Sequence, residues 1–284
     1  MNPAARKGLA GGALLLAALG AGCSSQMFSP DAPLGKIAMA TGFAPQIDDA
    51  EERRIGDQAA ATLLGAAPLL GNAELQKYVN RVGLHIARAG TRPELDWSFG
   101  VLDTDTVNAF AAPGGTVLIS RGLLRRLNDE SELAGVLAHE VTHVELKHHL
   151  RTLIQTGVMG SAASKTLSLA TGGRTDAYNG IATDVFTNLY SRGLSRDDEL
   201  EADRNGMQLA RRAGYDAYGL VAVLQTLEAM NPKDASLTLL LKTHPQPADR
   251  LAQLSAFAAT NVPDDPGAPN GKARFQSVLV RLRE

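Results

Sequence analysis

Residues 133–144 read Leu-Ala-Gly-Val-Leu-Ala-His-Glu-Val-Thr-His-Val. Leu133, Val136, Leu137, Val141 and Val144 recur at helical spacing and form one apolar stripe. Just upstream, Asp129 as N-cap with Glu132 three residues later makes a capping box, so the helix begins near Asn128-Asp129. His139 and His143 are i and i+4 on this helix, which puts both imidazoles on one side, able to hold one ion. Glu140 is rotated from them by about 100° and can address a water at that ion. With 6 His and 30 acids in 284 residues, a His-acid-x-x-His arrangement arises by chance only about 0.01 times. Polar groups amid an apolar stripe are costly to bury unpaired, which also argues for a metal partner.

Two histidines leave a protein ligand to be found. The best supplier is Ser195-Arg196-Asp197-Asp198-Glu199-Leu200-Glu201-Ala202-Asp203. On a helix, Glu199 and Asp203 share a face and Glu201 points elsewhere. Glu199 as a metal-bound carboxylate, with Asp203 holding the other N–H of one histidine, supplies the ligand and its support. His148 and His149 read as a solvated helix end. His85, in an earlier helix, reads as a packing or surface residue.

Working outward, residues 48–90 read as two amphipathic helices broken around Gly65–Asn72, with Pro68 inside the break. Trp97–Leu102, Val107–Ala111 and Thr116–Ser120 read as three strands, and Pro113-Gly114-Gly115 supplies turn chemistry. The expectation is a small antiparallel sheet ahead of the metal helix. Residues 157–180, rich in Gly, Ser, Thr and Ala, read as a mobile segment. Helical pattern resumes over Ser195–Arg212, Tyr218–Met230 and Pro247–Ala258. The stretch 261–284 receives no role. The class is α+β and mostly helical.

Composition removes other functions. The chain carries 28 basic and 30 acidic residues, net −2, which excludes the basic face a general nucleic-acid binder needs. Aromatics make up 5%, too few for single-strand stacking platforms. The single cysteine, Cys23, excludes a disulfide framework and a thiolate zinc finger, so a metal must be held by His, Asp and Glu. At the N-terminus, Arg6 and Lys7 precede an apolar run from Leu9 to Ala21. That run is too short to span a bilayer, which takes about 20 residues, so residues 1–22 read as a secretory signal. Gly-Ala-Gly-Cys23 at its end resembles a bacterial lipoprotein signal, with Cys23 lipidated and residues 23–47 as a tether. Ser24 after the cysteine fits outer-membrane sorting by analogy with other lipoproteins.

His-Glu-x-x-His followed by a Glu-x-x-Ala-Asp helix resembles the zinc metallopeptidase family of the CAAX prenyl endopeptidases, HtpX and the periplasmic BepA and LoiP proteins. Val107-Asn108-Ala109-Phe110-Ala111 with Pro113-Gly114-Gly115 resembles that family's edge strand and turn, and Thr243-His244-Pro245 with Arg250 its late elements. The likeness runs over about residues 50–255 and is strongest to the short LoiP-like lipoprotein members. It implies a zincin (gluzincin-like) domain over 48–260, one Zn2+ per chain on His139, His143 and Glu199, and Glu140 as the catalytic residue. His244 and Arg250 would sit over the metal, as oxyanion stabiliser or gate. An extended peptide would pair with Asn108–Ala111. The implied substrates are unfolded or misassembled cell-envelope proteins in the periplasm, met by a lipid-anchored enzyme. The competing reading is a chaperone or assembly factor for outer-membrane proteins with a latent, His244-gated peptidase site.

Overall fold

A computed structural model describes residues 47–155, 193–244, 246–263 and 270–280. The chain divides into Met1–Ala44 and Pro45–Glu284, and all described residues belong to the second unit. The signal, Cys23, nearly all of the tether, the segment 157–180 and Pro245 lie outside the described residues.

Helix α1 spans Asp49–Ala66, and the Asp48 side chain caps it by accepting from Glu51 N–H. Helix α2 spans Ala73–Arg88, capped the same way by Asn72. Leu75, Tyr78, Val79, Val82 and Ile86 form its buried stripe. Strands β1 (Ser98–Leu102), β2 (Ala109–Ala112) and β3 (Thr116–Ser120) follow. β2 and β3 pair antiparallel across the Pro113–Gly115 turn, where Gly114 and Gly115 take positive φ of 80° and 112°.

The sheet departs from the antiparallel expectation. Its order is β1-β3-β2, and β1 runs parallel to β3 in register from Ser98↔Thr116 to Leu102↔Ser120. The sheet is mixed. β3 carries the most β-branched residues, and with Val117, Leu118 and Ile119 all buried it takes the central place, where both of its edges are paired. Alternation in sequence marks a strand but carries no information on which neighbour it takes.

Helix α3 (Arg121–Leu124) leads to α4 (Glu130–Glu145). Asp129 caps α4 by accepting from Glu132 N–H at 3.0 Å. Glu132 accepts in turn from Asn128 N–H at 2.7 Å, so the box closes one residue earlier than the simple pattern. Every residue from Glu130 to Val144 is buried, which makes α4 the central helix and not a one-sided one. Lys147 then adopts a left-handed φ of 54°, and α5 (His148–Gln155) starts in a new direction. Helix α6 (Arg196–Arg212) packs along α4. Gly206 allows that approach: a Cβ there would stand 2.9 Å from the His139 backbone. Helices α7 (Gly219–Glu228), α8 (Leu240–Thr243), α9 (Pro247–Asn261) and α10 (Lys272–Leu279) complete the unit. Helix α10, in the stretch to which the sequence assigns no role, buries Phe275 against Tyr78. Arg274 pairs with buried Glu130, which also accepts from Tyr78 Oη. Among the described residues, no helix is long and apolar enough to cross a membrane.

Candidate active site

Three segments far apart in sequence meet beside α4. α4 supplies His139, Glu140 and His143, α6 supplies Glu199 and Asp203, and the α8–α9 region supplies His244 and Arg250; all seven are buried. His139 Nε2 and His143 Nε2 are 3.0 Å apart. Glu199 Oε2 lies 3.6 Å from the first, and Oε1 lies 3.5 Å from the second. His244 Nδ1 lies 3.0 Å from Glu199 Oε2, with its Nε2 3.7 Å from Glu140 Oε1. Ligand atoms of His139, His143, Glu199 and His244 all fall within 4.8 Å of one another. That spacing suits donors converging at about 2.0–2.2 Å on one divalent ion. Glu140 Oε2, buried beside them, has no hydrogen-bond partner among the described residues. The residues fit the metal.

The charges agree with this. Burial holds the His143 imidazole well below its ordinary pKa, and its neighbours His139, His149 and His244 push the same way, so its lone pair stays available to a metal. Burial would raise Glu199, but His244 and the Arg250 guanidinium outweigh it and bring the carboxyl to about 2. Burial raises Glu140, although His244 and His139 oppose it. Asp203 is held low against burial by Arg250, which binds it with Nη2 at 2.6 Å and Nε at 2.8 Å. Asp203 Oδ1 also stands 3.0 Å from His139 Nδ1. Burial would lower His244, but Glu199 and Glu140 raise it.

Ala109, Phe110 and Ala111 line one side of a cleft whose other walls include Glu140, Thr243 and His244. Asn108 is fully buried, and its Nδ2 donates to Thr243 Oγ1 at 3.3 Å, linking the strand to the turn that carries His244. His85 stands apart, its Nε2 2.8 Å from Ala213 O and its ring edge-on to Tyr215.

His148 and His149 are not a solvated end. They are 0% and 5% exposed, with ring centroids 5.0 and 5.5 Å from His143. The left-handed turn at Lys147 folds the start of α5 back onto α4, and a non-glycine residue in that conformation leaves no sequence signature.

A helix presenting two imidazoles and a glutamate, crossed by a second helix with a carboxylate, defines a His-Glu-x-x-His metallopeptidase site. The chain belongs to peptidase family M48, whose model matches residues 73–258. It is 30% identical over 223 residues to the beta-barrel assembly-enhancing protease of Escherichia coli (strain K12), covering 75% of this chain and 45% of that protein. The mitochondrial metalloendopeptidase OMA1 of Schizosaccharomyces pombe is 28% identical over 184 residues, 63% of this chain and 52% of that one. Metalloprotease YcaL of Escherichia coli (strain K12) is 31% identical over 134 residues, 47% of this chain and 52% of the other. The chain spans about half the length of the curated relatives it matches.

Proposed function

We propose that this protein is a zinc-dependent metalloendopeptidase that hydrolyses peptide bonds in misfolded or misassembled cell-envelope proteins. The observation that carries the reading is the convergence of His139, His143 and Glu199 beside Glu140, whose buried Oε2 has no hydrogen-bond partner among the described residues. Zinc on these ligands would supply Lewis acidity toward the peptide carbonyl and bring the attacking water's pKa toward ~7.

The chain's own residues do the rest. Glu140 accepts a proton from the attacking water and returns it to the leaving amine; its pKa, raised by burial, suits a group that must carry the proton between the two. Asp203 holds a carboxylate oxygen 3.0 Å from His139 Nδ1, which favours the hydrogen on that nitrogen and so leaves the Nε2 lone pair for the ligand cluster. Arg250 balances the two buried carboxylates, Glu199 and Asp203.

Asn108–Ala111 would receive an extended peptide by β-augmentation. Asn108 O accepts from Ser120 N–H at 2.9 Å, so by the alternation of an antiparallel ladder the backbone of Ala109 faces away from β3. Pairing through backbone is largely blind to sequence, which suits cleavage of unfolded chains. The envelope setting is supported by the lipoprotein-like signal at Cys23 and by the likeness to the beta-barrel assembly-enhancing protease. We place the protein in the periplasm, lipid-anchored at Cys23, at the outer membrane.

One observation favours a second reading, an assembly factor whose peptidase is latent. His244 sits on Glu199 and lines the cleft between that carboxylate's site and the strand residues Ala109–Ala111.

The test is cleavage of casein by the purified protein, with Glu140→Gln alongside and with a chelator. Loss of about 10²–10⁴-fold in the variant, and loss on chelation, is the expected result. Equal cleavage by Glu140→Gln removes the proposed mechanism. A defect in envelope assembly that Glu140→Gln repairs as well as wild type favours the second reading.

A further inference from the structure

His148 is buried against the metal site, yet the proposed reaction does not use it. Its Nδ1 lies 2.8 Å from His143 Nδ1, and its Nε2 lies 3.2 Å from Glu201 Oε2 and 3.8 Å from Asp198 Oδ1. The proton assignment along this line follows from its ends. His143 turns Nε2 toward His139 and Glu199, so its Nδ1 must carry the hydrogen when Nε2 offers a lone pair. His148 Nδ1 must then accept, which leaves the His148 hydrogen on Nε2, facing the carboxylates. Each bond has one donor and one acceptor, with no proton to spare.

We propose that His148 is a positioning residue for His143: it accepts the ligand's Nδ1–H and passes the pull of Glu201 and Asp198 to the metal-facing nitrogen. This rests on the metallopeptidase reading of the same site. His139 has a carboxylate beside its outer nitrogen directly, Asp203 Oδ1 3.0 Å from Nδ1. Among the described residues His143 has no carboxylate at its Nδ1, and an imidazole bridges the gap.

His148, Asp198 and Glu201 could themselves be taken for a cation site. The arrangement argues otherwise, because Arg151 Nη2 already stands 2.6 Å from Asp198 Oδ1 and 3.6 Å from Glu201 Oε2. That guanidinium supplies the positive charge a second ion would bring. The backbone serves the same end. Lys147, at a left-handed φ of 54°, pairs with buried Glu52 at 2.9 Å, and its turn sets His148 against His143.

The experiment is zinc affinity of the purified full chain, read by competition with a chromogenic chelator, together with the melting temperature of the metal-free protein. Wild type is compared with His148→Ala and His148→Asn, whose Oδ1 keeps an acceptor near the Nδ1 position. The expected result is about 10–100-fold weaker zinc binding by His148→Ala, most of it recovered in His148→Asn. Unchanged affinity in His148→Ala overturns the proposal. So does an equal loss in both variants that tracks a fall in the metal-free melting temperature, since that assigns His148 to packing alone. A wild-type chain that binds no zinc overturns the metallopeptidase reading and this proposal together.

Discussion

His244 Nδ1 stands 3.0 Å from Glu199 Oε2, on the carboxylate that also faces His139 and His143. Under the latent-peptidase proposal, this side chain would stand in the way of a substrate. His244 lines the cleft beside Glu140, and on that proposal His244→Ala should raise the rate of casein cleavage. A fall of about 10²–10³-fold would instead assign His244 to stabilising the developing oxyanion.

Arg250 binds two carboxylates that are almost fully out of water, Glu199 at 3.0 Å and Asp203 at 2.6 Å. Arg250→Ala strands both charges. Breaking a buried pair in this way costs about 3–5 kcal/mol. The melting temperature should drop by about 6 °C or more for a chain of this size. A loss below about 1 kcal/mol would mean that water or another cation reaches the site.

Glu52 is buried where Arg92 Nη1 and Nη2 reach it at 2.9 and 3.0 Å and Lys147 Nζ at 2.9 Å. Burial raises its pKa, but Arg92 and Lys147 more than offset this and hold it below the ordinary 4.5. Because the folded value is the lower one, the stabilisation is complete above the unfolded pKa and disappears as pH falls through the folded value. Urea unfolding across about pH 7 to 3 should show wild type well above Glu52→Gln at neutral pH, with the gap closing below about 4.5. A gap that stays constant with pH would show that packing, not charge, explains the loss.

Ala109 lies in β2 with its backbone facing away from β3. Proline there removes an N–H that does not belong to the β2–β3 ladder. Ala109→Pro should therefore fold and keep its metal while KM for an unfolded substrate rises sharply. Unchanged kinetics would end the β-augmentation scheme.

Much of this site is legible in the amino-acid sequence. His139, Glu140 and His143 share a helix whose period places them, and Glu199 and Asp203 do the same on α6. The extra reach of the site is not legible in that way. His148 and His149 follow two residues that look like a helix fraying into solvent, and only the φ of Lys147 turns them inward. Phe275 sits in a stretch without clear periodicity, and its burial depends on meeting Tyr78 and on the pairing of Arg274 with Glu130.

The sequence by itself determined what is local. Caps at Asp48, Asn72, Asp129 and Ser195, the helical spacing of His139 and His143, the alternation of Trp97–Leu102 and the β-branched run Thr116–Ser120 all act within a turn or a few residues. Tertiary structure alone decided the order β1-β3-β2, the arrival of His244 on Glu199, and the line from His143 through His148 to Glu201. Those depend on chain reversals and on contacts across tens of residues, where burial of one surface by another selects the arrangement and residue periodicity carries no record of the partner.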